Sequence, residues 1–226
     1  MKESNVMNLD WRQTDAVIFD MDGTLVDSMQ YWIALPVEWF ESRGLAVPGD
    51  LAAQLGMMHL RQAATYFVQQ YSPQEDSEDT YQELLTRMDK HYAEDIPLLS
   101  GVREFLAALR TAGKRTCIAT MTDRSQVEIM LRTHGLGEYF DFITTTPEVG
   151  KGKDCPDIYL QAAEKFGLPP ERVAVFEDSR VAAATALAAG FGVVVMRKEG
   201  MDYSALAGMG RSLSFIDDFC DLAVTE

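Results

Sequence analysis

Five short runs of apolar residues, consecutive rather than alternating, constrain this chain more than any other feature. They are AVIF (16–19), TCIAT (116–120), FITTT (142–146), VAVFED (173–178) and GVVVM (192–196). A strand with one face in water alternates apolar and polar residues, whereas a strand covered on both faces does not. These runs therefore predict a parallel sheet with helices on both sides. Helical patterns fill the intervals. VREFLAALRTAG closes at Gly113 and QVEIMLRTHGL at Gly135; PDIYLQAAEKFGL opens on Pro156 in its first turn and closes at Gly167. Proline at the start and glycine at the end is the placement that helix termini favour. Alternating strand and helix predicts an α/β fold with a doubly wound, Rossmann-like parallel sheet.

One stretch breaks the alternation. Between residues 29 and 96 there are helical patterns and no convincing strand. MQYWIALPVEWFESRG sets Trp32, Leu35, Trp39 and Phe40 at helical spacing, with Pro36 as a kink point. LRQAATYFVQQY and TYQELLTRMDKHYAED are two further helices, parted by the polar SPQEDSED (72–79). The expectation is an all-helical cap domain, residues 29–96, inserted into an α/β core made of residues 1–28 and 97–226. A module inserted after the first strand sits over the carboxyl ends of the strands, where such sheets bind ligands. Trp32 either belongs to the core of this module or lines the substrate space. Gly56-Met57-Met58-His59 falls between its helices, which makes Met58 and His59 candidate specificity residues; the plainer reading of His59 is a surface side chain. Ser28 reads as a helix N-cap.

Composition narrows the function classes. The 226 residues carry a formal net charge of −15, which disfavours nucleic acid and anionic membranes as partners. A small anionic substrate stays open, because a local site can be basic on an acidic protein. The three cysteines, Cys117, Cys155 and Cys220, form no CxxC pair and read as reduced thiols. The opening MKESNVMNLDWRQTD has no apolar signal-peptide core, and no apolar stretch is long enough to span a bilayer. A cytoplasmic location with no membrane partner is the expectation.

The chemistry gathers where strands end. Asp20-Met21-Asp22-Gly23-Thr24 follows the first run, Thr120 closes the second, Lys153 lies in GKGKDCPDIY, and Glu177-Asp178-Ser179 follows the fourth. In a parallel sheet these positions emerge at one edge. Four close carboxylates cannot all stay ionised without a cation, and a hard divalent ion held by oxygens, most simply Mg²⁺, relieves the repulsion. A metal with a lysine and a hydroxyl makes a place for a phosphoryl group. One aspartate can then be a nucleophile and the other a general acid and base. Lys151 competes with Lys153; Lys153 is preferred because it precedes the DCPDIY segment. GKGK is no nucleotide P-loop, since the upstream glycine is replaced by Pro147 and no Ser or Thr follows.

These residues resemble the haloacid dehalogenase-like hydrolases, whose four motifs match in order over nearly the whole chain, the helical insertion looking like the family's cap. The resemblance implies Asp20 as the nucleophile that becomes an aspartyl phosphate. It implies Asp22 as general acid/base, giving its backbone carbonyl to Mg²⁺. Thr120, Lys153 and Gly23 would hold the phosphoryl group, and Asp178 with Glu177 close by would complete a metal site shared with Asp20 and Asp22. DGTLVDS, PDIYLQAAEKFGL and FEDS are most similar to the β-phosphoglucomutase-like phosphatases. Asp22 speaks against dehalogenation, which does without that aspartate and without Mg²⁺. Trp32 stands where the mutase carries a cap histidine, which favours hydrolysis over mutase chemistry. SRVAAATALAAG departs from the family in lacking the glycine after the acidic pair, at Ala182 or Ala183. The expected function is a Mg²⁺-dependent phosphatase acting on a small phosphorylated metabolite. A sugar phosphomutase and a non-catalytic phosphate-binding or phosphoacceptor protein are the alternatives.

Overall fold

The structure is a computed structural model that describes residues 9–55, 58–198, 200–206, 209, 213–220 and 222–224. Six parallel strands form one sheet in the order β3-β2-β1-β4-β5-β6. They are β1 (Ala16–Phe19), β2 (Arg115–Thr120), β3 (Phe142–Thr145), β4 (Val173–Glu177), β5 (Gly192–Met196) and β6 (Leu213–Ile216). All five predicted runs are strands. Their consecutive apolar character has the physical cause inferred for it. Val17 and Phe19 point into one hydrophobic cluster, with Phe105 and Phe176, while Ala16 and Ile18 point into a second, with Ile158 and Ala162. Helices α5 (Val102–Thr111) and α6 (Arg124–His134) cover the first face; α8 (Asp157–Phe166) and α9 (Arg180–Ala188) cover the second.

Three details differ from the sequence expectation. Thr146 opens the one-turn helix α7 (Thr146–Val149) instead of extending β3. Pro156 stands at the N-cap of α8, one residue outside the helix. The edge strand β6 was not expected; its side chains alternate between buried and half-buried over four residues, too short a pattern to read.

Residues 29–94 hold four helices and, among the described residues, no strand: α1 (Met29–Ser42), α2 (Leu51–Leu55), α3 (Leu60–Tyr71) and α4 (Ser77–Glu94). Pro36 lies inside α1. Aromatic rings pin these helices together, Trp39 stacking on Phe67 with centroids 4.8 Å apart. Arg43 adds ion pairs to Glu75 at 2.6 Å and Glu83 at 2.9 Å while lying over the Trp39 ring. The helical segment packs on the sheet domain through α4 against α6. Of the loop residues 56–59, Gly56 and Met57 lie outside the described residues.

The order of strands fixes where a ligand can bind. From β1 the chain proceeds outward through β2 and β3 on one side and through β4, β5 and β6 on the other. A crevice forms at the carboxyl ends where the direction reverses. Phe19 pairs with Phe176, and the Asp20 N–H donates to the Phe176 carbonyl at 2.9 Å. That register sets Asp20 level with Glu177.

Candidate active site

Asp20, Thr120, Lys153, Glu177 and Asp178 come together at this crevice, each less than a tenth exposed. Lys153 Nζ donates to Asp20 Oδ1 and Glu177 Oε1, both at 2.5 Å. Glu177 is held on every side: Oε1 also accepts the Tyr159 hydroxyl at 2.9 Å, and Oε2 accepts the backbone N–H groups of Asp178 and Ser179 at 3.1 Å. Asp178 pairs with Lys198, which stands two residues beyond β5. Lys151 is the outer lysine; it pairs with Asp157 at 2.6 Å in solvent.

Burial and mutual repulsion govern the charges here. Burial pushes the Asp20 carboxyl well up; Lys153 opposes the shift, and Glu177, Asp178 and Asp22 add to it. Asp178 is raised to about 6 by burial and by Glu177, with Lys198 pulling the other way. Burial works against the Lys153 ammonium, yet the Asp20 and Glu177 carboxylates outweigh it and lift the group above its ordinary value. The oxygens of Asp20, Glu177 and Asp178 lie within 4.8 Å of one another, a donor set of hard ligands that fits a divalent cation. Three carboxylates share two lysines here, and a divalent ion would make up the difference. Gly23 is part of the same design. Its φ of 75° is left-handed, and a Cβ built there would meet Asp178 Oδ2 at 2.2 Å.

Asp22 faces the other way. Its Oδ1 accepts the Ser28 hydroxyl at 2.6 Å, the Trp32 indole N–H at 3.0 Å and the Tyr92 hydroxyl at 2.5 Å; its Oδ2 accepts the Thr122 hydroxyl at 2.6 Å. Ser28 does occupy the N-cap position of α1, but its hydroxyl serves Asp22 and caps nothing. Burial and Asp22 push the Tyr92 phenol up, so it remains a donor. Trp32 thus belongs both to the helical segment and to the site, since it also lines the cavity that opens on Asp20. Met58 and His59 line that cavity too. The cavity holds about 460 Å³ between the strand ends and the helical segment.

Comparison with known proteins decides what kind of enzyme this geometry belongs to. A sequence model of the family described as haloacid dehalogenase-like hydrolase matches residues 14–190. The chain belongs to the haloacid dehalogenase-like hydrolases. Among curated members, protein CbbY of Rhodobacter capsulatus is 39% identical over 116 residues, spanning 49% of this chain and 51% of that protein. The phosphorylated carbohydrates phosphatase of Thermotoga maritima is 29% identical over 190 residues, 82% of this chain and 88% of that one. The solved structure of CbbY from Rhodobacter sphaeroides in complex with phosphate superposes with a TM-score of 0.78 at 26% identity, covering 92% of this chain and 96% of its own. With phosphatases among its relatives, this haloacid dehalogenase-like hydrolase is a phosphohydrolase.

Five residues of the site escaped the sequence reading: Ser28 as a partner of Asp22, Tyr92, Thr122, Tyr159 and Lys198. Lys198 was reachable by the rule that found the others, because it follows a predicted strand. Tyr92 was not, being 70 residues from Asp22 in a helix with no distinguishing pattern around it.

Proposed function

We propose that this hydrolase is a Mg²⁺-dependent phosphatase of a small phosphomonoester, working through an aspartyl phosphate on Asp20. The observation that supports it most is the Lys153 bridge. A buried ammonium held between Asp20 and Glu177 leaves a cationic contact for a phosphoryl oxygen beside the nucleophile. In the first step an Asp20 carboxylate oxygen attacks phosphorus, the ester P–O bond breaks, and Asp22 gives a proton to the departing alcohol. In the second, Asp22 takes a proton from water, the water oxygen attacks phosphorus, and the bond to Asp20 breaks to release inorganic phosphate. Thr120 and the Gly23 turn complete the phosphoryl site with Lys153. Asp20, Asp178 and the Asp22 backbone carbonyl would hold the metal. Glu177 lies in the same group, and with both its oxygens hydrogen-bonded its part is to orient Lys153. Bound there, Mg²⁺ supplies positive charge to the phosphoryl oxygens. Residues 29–96 act as the cap, excluding water while phosphorus is transferred.

Phosphate release from a panel of phosphomonoesters, with Mg²⁺ and then with EDTA, tests this reading. Asp20→Asn is expected to lower turnover on the order of 10⁴-fold or more while the protein stays folded. Retained activity in that variant, or activity indifferent to EDTA, overturns the mechanism.

A further inference from the structure

Across the cavity from the strand ends, the helical segment contributes Met29, Trp32, Met58, His59 and Leu60. The methionines and the leucine offer no strong hydrogen bond. The indole N–H of Trp32 is already given to Asp22 and to the Tyr92 hydroxyl. Among these five, His59 alone keeps a hydrogen-bonding group for a ligand. Its place is fixed by the start of α3: its backbone is extended, with φ −75° and ψ 163°, and its N–H donates to Gln62 Oε1 at 3.1 Å. The side chain is half-buried. Nδ1 is buried with no partner among the described residues, which leaves Nε2 as the ring nitrogen that a ligand can meet. Asp123, at the N-cap of α6, acts on the ring, yet its Oδ2 is buried and unpartnered as well, so it has not captured the imidazole. Burial holds His59 below its ordinary pKa of 6.5; Asp123 opposes that shift and Arg61 adds to it. At pH 7 the ring is therefore neutral, with one N–H and one lone pair. On the facing wall Ser179 caps α9, and Arg180 stands exposed at the rim, donating to the Asp202 backbone carbonyl at 2.7 Å.

We propose that His59 is the specificity-determining residue of the helical segment, reading a hydroxyl of the substrate's alcohol, and not a second anionic group, through Nε2. The inference rests on the phosphomonoester reading above and adds the residue and the chemical group that select the alcohol. With the phosphoryl group at Lys153 and Thr120, the alcohol extends across the cavity towards the helical segment. A hydroxyl there can donate to the ring's lone pair or accept from its N–H, so either tautomer of His59 serves it. A skeleton without a hydroxyl takes water away from Nε2 and returns no partner, and an unpaired buried polar group is what a site rejects most strongly. A second phosphate or carboxylate finds no positive charge on a neutral imidazole.

The test compares sorbitol 6-phosphate with n-hexyl phosphate. Both are esters of primary alcohols with the same chain length, and only one carries hydroxyls along it. Wild type is expected to favour sorbitol 6-phosphate at least about 10-fold in kcat/KM. His59→Ala is expected to shrink that ratio roughly 10-fold, through the KM of sorbitol 6-phosphate, because a contact remote from phosphorus is made equally in the ground and transition states. His59→Gln, whose amide also carries a donor and an acceptor, restores part of the ratio, which a merely structural role of the ring would not allow. A ratio near one in wild type, or a ratio that His59→Ala leaves intact, overturns the proposal. A second comparison sets fructose 1,6-bisphosphate against fructose 6-phosphate. A preference for the bisphosphate that disappears in His59→Ala would mean that the ring reads an anion, and overturns the proposal as well. If neither six-carbon ester is hydrolysed, the phosphatase reading fails, and both esters become stable ligands for calorimetric titration of the same proteins with Mg²⁺ present. Tighter binding of sorbitol 6-phosphate that depends on His59 then supports the assignment; equal affinities, or binding of neither, overturn it.

Discussion

The Asp22 carboxylate accepts four hydrogen bonds, and two of the donors, Trp32 and Tyr92, come from the helical segment. Tyr92 is fully buried, and its hydroxyl ties Asp22, the proton carrier of the proposed mechanism, to α4. Tyr92→Phe removes one donor without changing the ring that fills the space. Hydrogen bonds to charged groups contribute about 1.5–3 kcal/mol, so kcat is expected to fall at least roughly 10-fold. If Tyr92 positions Asp22, steady-state kinetics shows the loss in kcat with KM unchanged; a rise in KM alone would make it a ground-state contact. Asp178 offers a second test, through stability. Its pKa is raised to about 6 in the folded protein against an ordinary 3.8, by burial first. Between those values the folded state binds more protons than the unfolded one, so stability falls as pH rises through that window. In metal-free protein Asp178→Asn is therefore expected to unfold at a higher temperature than wild type at pH 7, with the gain gone near pH 4. Added Mg²⁺ should stabilise wild type more than the variant. Thermal unfolding with EDTA and with Mg²⁺ at the two pH values checks both signs. At this scale the strand-end acids were legible because each stands beside a run that has to be a strand, and Lys153 because it precedes the DCPDIY segment that opens a helix. The partners of Asp22 were not, since hydroxyl and indole donors carry no spacing signal.

The strands were legible for a reason particular to this sheet. Strands covered on both faces show as unbroken apolar runs, and β1, β4 and β5 are buried along nearly their whole length. Strand β6 has one neighbour and half-buried alternate residues, so nothing marked it. The helical segment was legible as helices because its apolar stripes recur at intervals of three and four. In α4 the buried residues Thr80, Tyr81, Leu84, Met88 and Tyr92 form such a stripe. What starts α4 is equally local: the Asp76 carboxylate accepts the N–H groups of Glu78 and Asp79 at 2.7 and 3.2 Å. Asp76→Ala leaves those donors to water and is expected to cost about 1 kcal/mol. Because Asp76 lies at the far end of α4 from Tyr92, kcat should not change. Urea unfolding and steady-state kinetics on one variant separate the two effects.

At the scale of the whole molecule, the acidic surface and the cationic groups of the site pull opposite ways on an anion, and that opposition has a measurable consequence. The net charge of −15 repels a phosphomonoester dianion approaching from bulk solvent. Close to the cavity the dianion meets Lys153, Lys198 and Arg180 beside the carboxylates of Asp20, Asp22, Glu177 and Asp178, and a divalent cation bound among those acids would tip the local balance to positive. Which field the substrate feels depends on screening. The Debye length is about 30 Å at 0.01 M salt, comparable to the molecule, and about 8 Å at 0.15 M, comparable to the cavity. Raising NaCl across that range therefore removes the repulsion of the whole surface while sparing much of the attraction inside. At fixed free Mg²⁺, kcat/KM is expected to rise about two- to fivefold, through KM, the reverse of the decline seen where a basic surface steers an anion. A decline here would mean that the lysines and Arg180 dominate the approach as well as the bound state. The sign of this effect is not contained in composition alone. It depends on folding a strongly acidic chain so that two of its lysines and an arginine meet at one crevice, and that meeting is set by the strand order around β1.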